Sequence, residues 1–146
     1  MAAGQRVLIH GAGDGVGHLA VQIAKARGAH VVGTASAAKH DLVASLGADE
    51  LIDYRATDFA AHVDGVDVVL DTIGGDDLAA RTRAAGRRFA GLSVEPDYPA
   101  LEALADLAES GRLRVHLQAT LDLAEAAKAH ELLESGSVTG KIALTV

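Results

Sequence analysis

Four glycines at alternate positions, Gly11, Gly13, Gly15 and Gly17, follow the apolar run Val7, Leu8 and Ile9 in the stretch RVLIHGAGDGVG. Glycine adopts positive φ freely and lets a backbone approach a ligand closely. Placed between a strand and a helix, such a cluster leaves backbone N–H groups free to bind an anion, above all a phosphate. With Gly17 as the last glycine of G-x-G-x-x-G, Ala12 and Asp14 occupy the first two glycine positions, around Gly13, Gly15 and Val16. The middle glycine normally lets a pyrophosphate come close, whereas Asp14 brings bulk and negative charge there. The stretch is therefore open to two readings: a turn that cradles a pyrophosphate, and a tight turn that binds nothing.

A second set of polar residues lies about twenty positions on. An NAD site usually carries an Asp or Glu there to hold the ribose 2′-hydroxyl. Here the stretch HVVGTAS ends in Thr34, Ala35 and Ser36, with Lys39 and His40 after it. Hydroxyls and a cation in place of a carboxylate suit a 2′-phosphate, so NADP(H) is expected in preference to NAD(H). Alternatively Ser36 simply caps the next helix. Further on, VDVVLDT from Val66 to Thr72 is broken by Gly74 and Gly75. That break places Asp71, Thr72, Ile73 and Gly74 at a strand's carboxyl end, where open α/β sheets bind ligands. Asp71 is expected either to contact a ribose or amide or to cap the next segment.

Asp14 and His18 lie four apart, which suggests a facing pair with a raised His pKa, or else capping of the helix by Asp14. None of the seven histidines falls in H-x-x-x-H and there is no cysteine, so no metal is expected. No G-x-S-x-G frames a serine, which leaves acyl transfer without support. No residue stands out as catalytic.

The elements that must position these residues alternate. Strands are expected at Val7–Ile9, His30–Ala35, Glu50–Tyr54, Val66–Thr72, Arg87–Val94, Leu113–Leu117 and Ile142–Val146. Between them the apolar period predicts helices from Val16 to Arg27, Ala37 to Leu46, near Asp58 to Val63, Asp76 to Ala85, Pro99 to Glu109 and Asp122 to Ser135. Gly28 and Gly47 suit the positions just past helix ends. This alternation predicts an α/β fold with a largely parallel sheet, in one domain over residues 1–146.

At 146 residues, 49% apolar and 23% charged, the chain is expected to fold compactly. A net charge of -7 and only two Phe, two Tyr and no Trp disfavour nucleic acid as a partner. No apolar stretch has the length of a membrane span and the N-terminus lacks the pattern of a secretory signal, so a cytoplasmic protein is expected.

Taken together, VLIHGAGDGVGHLAVQIAKARGAHVVGTAS, LGADELIDY, VDVVLDTIGG and SGSVTGKIALTV, in that order, resemble the nucleotide-binding half of medium-chain dehydrogenases and reductases. The zinc-independent quinone oxidoreductase and enoyl reductase branch is the nearest. The resemblance implies a Rossmann-like, doubly wound sheet with helices on both faces. It implies that Ala12 to Gly17 lie under the pyrophosphate, Lys39 and Tyr54 near the adenosine 2′-phosphate, and Thr72 to Gly74 near the nicotinamide ribose. It also implies hydride transfer from NADPH to a quinone or an activated alkene. Three departures stand out: Asp14 itself, a core strand and loop missing before FAGLSVEPDYPAL, and the absence of the family's N-terminal substrate domain. A small-molecule substrate, a separate substrate-domain polypeptide and a homodimer through an uncovered sheet edge are the partners this implies. The rival expectation is a shortened, stand-alone homologue that has lost the cofactor and uses the cleft for isomerisation, cyclisation or ligand binding.

Overall fold

The computed structural model describes residues 1–57, 64–74 and 96–146. Four short strands, β1 (Arg6–Ile9), β2 (His30–Ala35), β3 (Glu50–Asp53) and β4 (Val68–Leu70), form one sheet in the order β3-β2-β1-β4. Every pairing is parallel. This is the expected Rossmann-like arrangement. The order reverses at β1, where β2 lies on one side and β4 on the other, so the carboxyl end of β1 opens onto the crevice where such sheets take ligands.

The alternation of side chains along β1 explains its central place. Val7 and Ile9 face one side and join Val31, Ala35 and Val43 in the larger core. Helix α1 (Gly17–Ala26) buries Ala20, Val21 and Ala24 in the same cluster. Leu8 faces the other side with Val32 and Val66. Burying each such Val, Leu or Ile contributes roughly 1.5–3 kcal/mol, so β1, apolar towards both faces, anchors both layers. Gly28, at φ 77°, ends α1 as expected, and its N–H donates to the Lys25 carbonyl.

Several boundaries differ from expectation. The helix expected over Ala37–Leu46 is a 3₁₀ turn, Ala37–Lys39, followed by α2 (His40–Ser45). The i→i+3 bond from Lys39 N to Ser36 O makes this tight turn. Helix α3 (Tyr98–Glu109) begins as its sequence predicts, with Asp97 accepting from Ala100 N at 3.1 Å and Pro99 in the first turn. The strand expected at Leu113–Leu117 instead starts at Leu117 and runs to Asp122 as β5. Asp122 caps Leu123–Glu125, a 3₁₀ turn that leads into α4 (Ala126–Glu134), and β6 (Lys141–Thr145) returns parallel to β5. The pieces expected at Asp58–Val63, Asp76–Ala85 and Arg87–Val94 lie outside the described residues.

Residues 113–116 do not form a strand, and side chains of α1 supply much of their backbone hydrogen bonding. Gln22 on α1 accepts the Arg114 N–H through Oε1 and donates to the Arg114 carbonyl through Nε2, both at 2.9 Å. His18, one turn earlier, accepts the His116 N–H at Nε2. Two residues four apart on one helix face thus imitate a strand edge and moor the C-terminal third to α1. Gln22→Ala, which leaves the Arg114 N–H and carbonyl without these partners, is expected to cost about 1–3 kcal/mol in denaturant unfolding, with the sheet core intact.

Candidate functional site

The crevice at the carboxyl ends of β1, β2 and β4 is built from the glycine turn outward. Gly11 leaves β1 at φ 63°, where a Cβ would also meet Asp14 Oδ2 at 2.9 Å and Thr72 Oγ1 at 3.0 Å. Gly17 opens α1 against the Gly11 carbonyl, and a Cβ there would overlap that oxygen. Ala12 hangs its N–H on the Thr34 carbonyl at 2.9 Å, which ties the turn to the end of β2. Among the described residues, no acceptor takes the backbone N–H of Gly13, Gly15 or Val16. Three open amides before a ten-residue helix with no acidic side chain in its first turn form a cradle for an anion.

The expected site residues gather around this cradle to different degrees. Thr34 is buried at the end of β2, with its hydroxyl 3.0 Å from His10 Nδ1. Thr72 donates from Oγ1 to the His10 carbonyl at 2.6 Å. Asp71 Oδ1 accepts from Ile73 N at 2.9 Å and Gly74 N at 3.0 Å. Asp71 therefore caps the turn after β4, and Ile73, 63% exposed, projects from it. Ser36 is buried at the head of the 3₁₀ turn, but its side chain makes no capping hydrogen bond. Tyr54, just past β3, is half exposed, has the Arg55 guanidinium 5.7 Å from its ring centre, and shares no hydrogen bond with the turn.

Lys39 and Asp14 form the one close ion pair of the crevice among the described residues. Lys39 Nζ lies 2.6 Å from Asp14 Oδ1 and donates to the Val138 carbonyl at 2.6 Å. The lysine side chain is only 11% exposed and lies against Gly13, where a Cβ would meet its Cδ at 2.9 Å. Asp14 is 46% exposed, and its carboxylate occupies this cation as a charge-assisted hydrogen-bond acceptor.

The Asp14 side chain therefore neither pairs with His18 nor caps α1, which has no side-chain cap. His18 Nδ1 donates to the Asp14 carbonyl oxygen at 2.8 Å, while Nε2 accepts from His116 N at 3.3 Å. Together these bonds fit the neutral ring with its proton on Nδ1. Burial lowers the His18 pKa, the Asp14 carbonyl opposes this, and Lys141 and His116 lower it further. The expected raised pKa is thus reversed, because burial outweighs the Asp14 carbonyl and no carboxylate faces the ring. Burial also lowers the pKa of His10, against the opposing charge of Asp71.

Sequence reasoning overlooked the C-terminal side of the site. Gly140 N donates to the Gly13 carbonyl at 2.9 Å and Lys141 N to the His116 carbonyl at 2.9 Å. A cavity of about 390 Å³ between Gly15 and residues 133–142 is lined by Asp14, Val138, Gly140 and Lys141. The only local signal was the Gly-Lys pair that opens the last strand.

A family model described as zinc-binding dehydrogenase matches residues 15–90, just over half of the chain. The chain belongs to this family. A second model of the same description matches residues 77–144. These matches and the parallel sheet bear out the resemblance to the nucleotide-binding domain of medium-chain dehydrogenases and reductases. The quinone oxidoreductase of Coxiella burnetii has a TM-score of 0.90 at 34% identity, covering 99% of this chain and 54% of that one. The Escherichia coli quinone oxidoreductase complexed with NADPH has a TM-score of 0.83 at 25% identity, covering 100% of this chain and 58% of that one. Medium chain reductase pydE of Acremonium sp is 27% identical over 190 residues, covering 99% of this chain and 52% of that protein. The matched stretch is longer than the chain's own 146 residues, so that relative carries residues the chain lacks. The chain spans about half the length of these relatives.

Zinc, in the family's name, does not fit the residues present: the chain has no cysteine, and among the described residues no three His, Asp or Glu converge on a metal position. Nor is any helix among them long and apolar enough to cross a membrane.

Two outcomes are expected from this geometry. Gly17→Ala, which drives a methyl into the Gly11 carbonyl, should cost about 1–3 kcal/mol in thermal unfolding. With native His10 and His18 held below the ordinary value of 6.5, the unfolded chain takes up protons first as pH falls. Stability should therefore be flat above about pH 6.5, decline below it, and level once the depressed native values are passed. Denaturant unfolding of His18→Gln between pH 7.5 and 5 should show a shallower decline than the wild type.

Proposed function

We propose that the chain is the NADP(H)-binding domain of a zinc-independent reductase that delivers a hydride to a quinone or an activated alkene. The observation that carries this reading is the cradle itself: open amides at Gly13, Gly15 and Val16, between Gly11 at φ 63° and Gly17, where a Cβ would overlap the Gly11 carbonyl. Ala12 to Gly17 would hold the pyrophosphate, with Asp14 at its margin. Thr34, Ser36, Lys39 and Tyr54 would face the adenosine ribose and its 2′-phosphate, Lys39 exchanging the Asp14 carboxylate for a phosphate oxygen. Asp71, Thr72, Ile73 and Gly74 would border the nicotinamide ribose. Bound NADPH supplies the hydride, and the chain's part is to orient the dinucleotide across the ends of β1, β2 and β4. Support comes from the similarity to an oxidoreductase complexed with NADPH and from a strand end that carries no ribose-binding carboxylate.

In this proposal the domain acts in the cytoplasm on a small-molecule substrate whose pocket is completed by a separate substrate domain or by a second copy of the chain. One observation favours a rival. Asp14 already occupies the Lys39 ammonium, which suits a shortened homologue that has given up the cofactor for a non-redox step or for ligand binding.

Calorimetric titration with NADPH and with NADH separates the two. The reductase reading expects micromolar binding that prefers NADPH, tightens about tenfold in Asp14→Gly, and loses its preference in Lys39→Ala. Binding recovered only by Asp14→Gly would favour the rival, and no binding by either protein would overturn the reductase reading.

A further inference from the structure

The described cations near the crevice are not equivalent. Lys39 is consumed by Asp14 and the Val138 carbonyl. In another cavity, about 410 Å³ between α1, α2 and residues 111–114, Lys25 is paired with Asp49 and Arg114 is bound to Ser45. Lys141 differs. Its ammonium lies over Gly15, where a Cβ would meet Nζ at 2.9 Å and Cε at 3.3 Å. Among the described residues it has no carboxylate, carbonyl or hydroxyl partner. Two backbone bonds hold it in place from outside the turn: Gly140 N to the Gly13 carbonyl, and Lys141 N to the His116 carbonyl. The segment that carries His116 is in turn moored to α1 by His18 and Gln22.

We propose that Lys141 is the cation that receives the pyrophosphate of the dinucleotide at the glycine turn, a role separate from recognition of the 2′-phosphate. This rests on the NADP(H)-binding reading and adds to it a residue from the far end of the chain. An unpaired ammonium, open amides at Gly13, Gly15 and Val16, and a cavity of about 390 Å³ meet at one place. A bridging diphosphate presents several acceptor oxygens at once, enough to engage the amides and the ammonium together. Glycine at 15 leaves room for the ammonium directly over the turn, where a side chain would push it aside. The division of labour is chemical. The pyrophosphate is common to NADH and NADPH, so Lys141 should serve both equally, whereas a 2′-phosphate contact serves NADPH alone.

The test is calorimetric titration of the full chain with inorganic pyrophosphate, NADH and NADPH, in the wild type, Lys141→Ala and Lys141→Arg. Thermal unfolding confirms that each variant folds, since the backbone bonds of residue 141 survive either change. Lys141→Ala should weaken binding of all three ligands by about tenfold or more, by the same factor for NADH and NADPH, and Lys141→Arg should restore most of it. Unchanged pyrophosphate and dinucleotide binding in Lys141→Ala would overturn the proposal while leaving the cofactor reading intact. So would a loss confined to NADPH, or a wild type that takes up no pyrophosphate. Pyrophosphate binding that depends on Lys141, in a chain that takes neither dinucleotide, would uphold the anion site and sink the cofactor reading instead.

Discussion

The backbone contact between Gly11 and Gly17 is the constraint on which the crevice depends. The chain has to leave β1, reverse and enter α1 within a few residues, and it does so by bringing the Gly17 Cα against the Gly11 carbonyl, closer than any Cβ allows. That approach sets where α1 begins, and with it which face of α1 meets the sheet. Val21 and Ala24 then fall into the core beside Val7 and Ile9, and the amides of Gly13, Gly15 and Val16 just before the helix are left without an acceptor among the described residues. The same short connection that closes the core therefore also opens the anion cradle. The close-packed turn and the open amides share one set of glycines, so a change there alters both.

A second layer of order comes from side chains that stand in for backbone. Gln22 and His18 supply to residues 114–116 the hydrogen bonds that a neighbouring strand would otherwise give, so the C-terminal third is docked to a helix flank and not added to the four-stranded sheet. An accepting ring nitrogen is needed at His18 for this, and a protonated imidazole has none. Burial, with Lys141 nearby, lowers the His18 pKa and so favours the neutral ring. Docking of the C-terminal segment, the placement of Lys141 and the protonation state of His18 are thus one coupled arrangement.

Charge in the crevice is arranged unusually for an anion site. Asp14 puts a carboxylate at the turn, yet its charge is taken up by Lys39, whose methylenes cover Gly13. The pair is internally neutral, so under the proposed reading attraction for an anion falls to the open amides and to Lys141. An acidic chain of net charge -7 can present a locally positive cradle in this way, because interaction between close charges outweighs the screened field of distant ones.

Local pattern was sufficient for a good part of this. The run Val7–Ile9, the glycines after it and the helical period from Leu19 to Ala24 announce strand, turn and helix, because each depends on residues within a few positions. The parallel sheet follows from strand and helix alternating along the chain, and the resemblance to a dehydrogenase nucleotide-binding domain rests on ordered stretches of sequence. Contacts between distant residues decided the rest. That Lys39 would be held by Asp14 and Val138, that His18 would meet a carbonyl and the His116 amide instead of the Asp14 carboxylate, and that residues 113–116 would not be a strand all depend on partners 4 to 99 positions away. Lys141 is the plainest case. In the sequence it is one cation before a terminal strand, and only the folding of that strand onto the glycine turn brings its ammonium to Gly15, 126 positions earlier than itself in the chain. Periodicity and spacing report what a residue does to its own element. The charge environment of a site is set by which elements meet, and that is decided by packing across the whole fold.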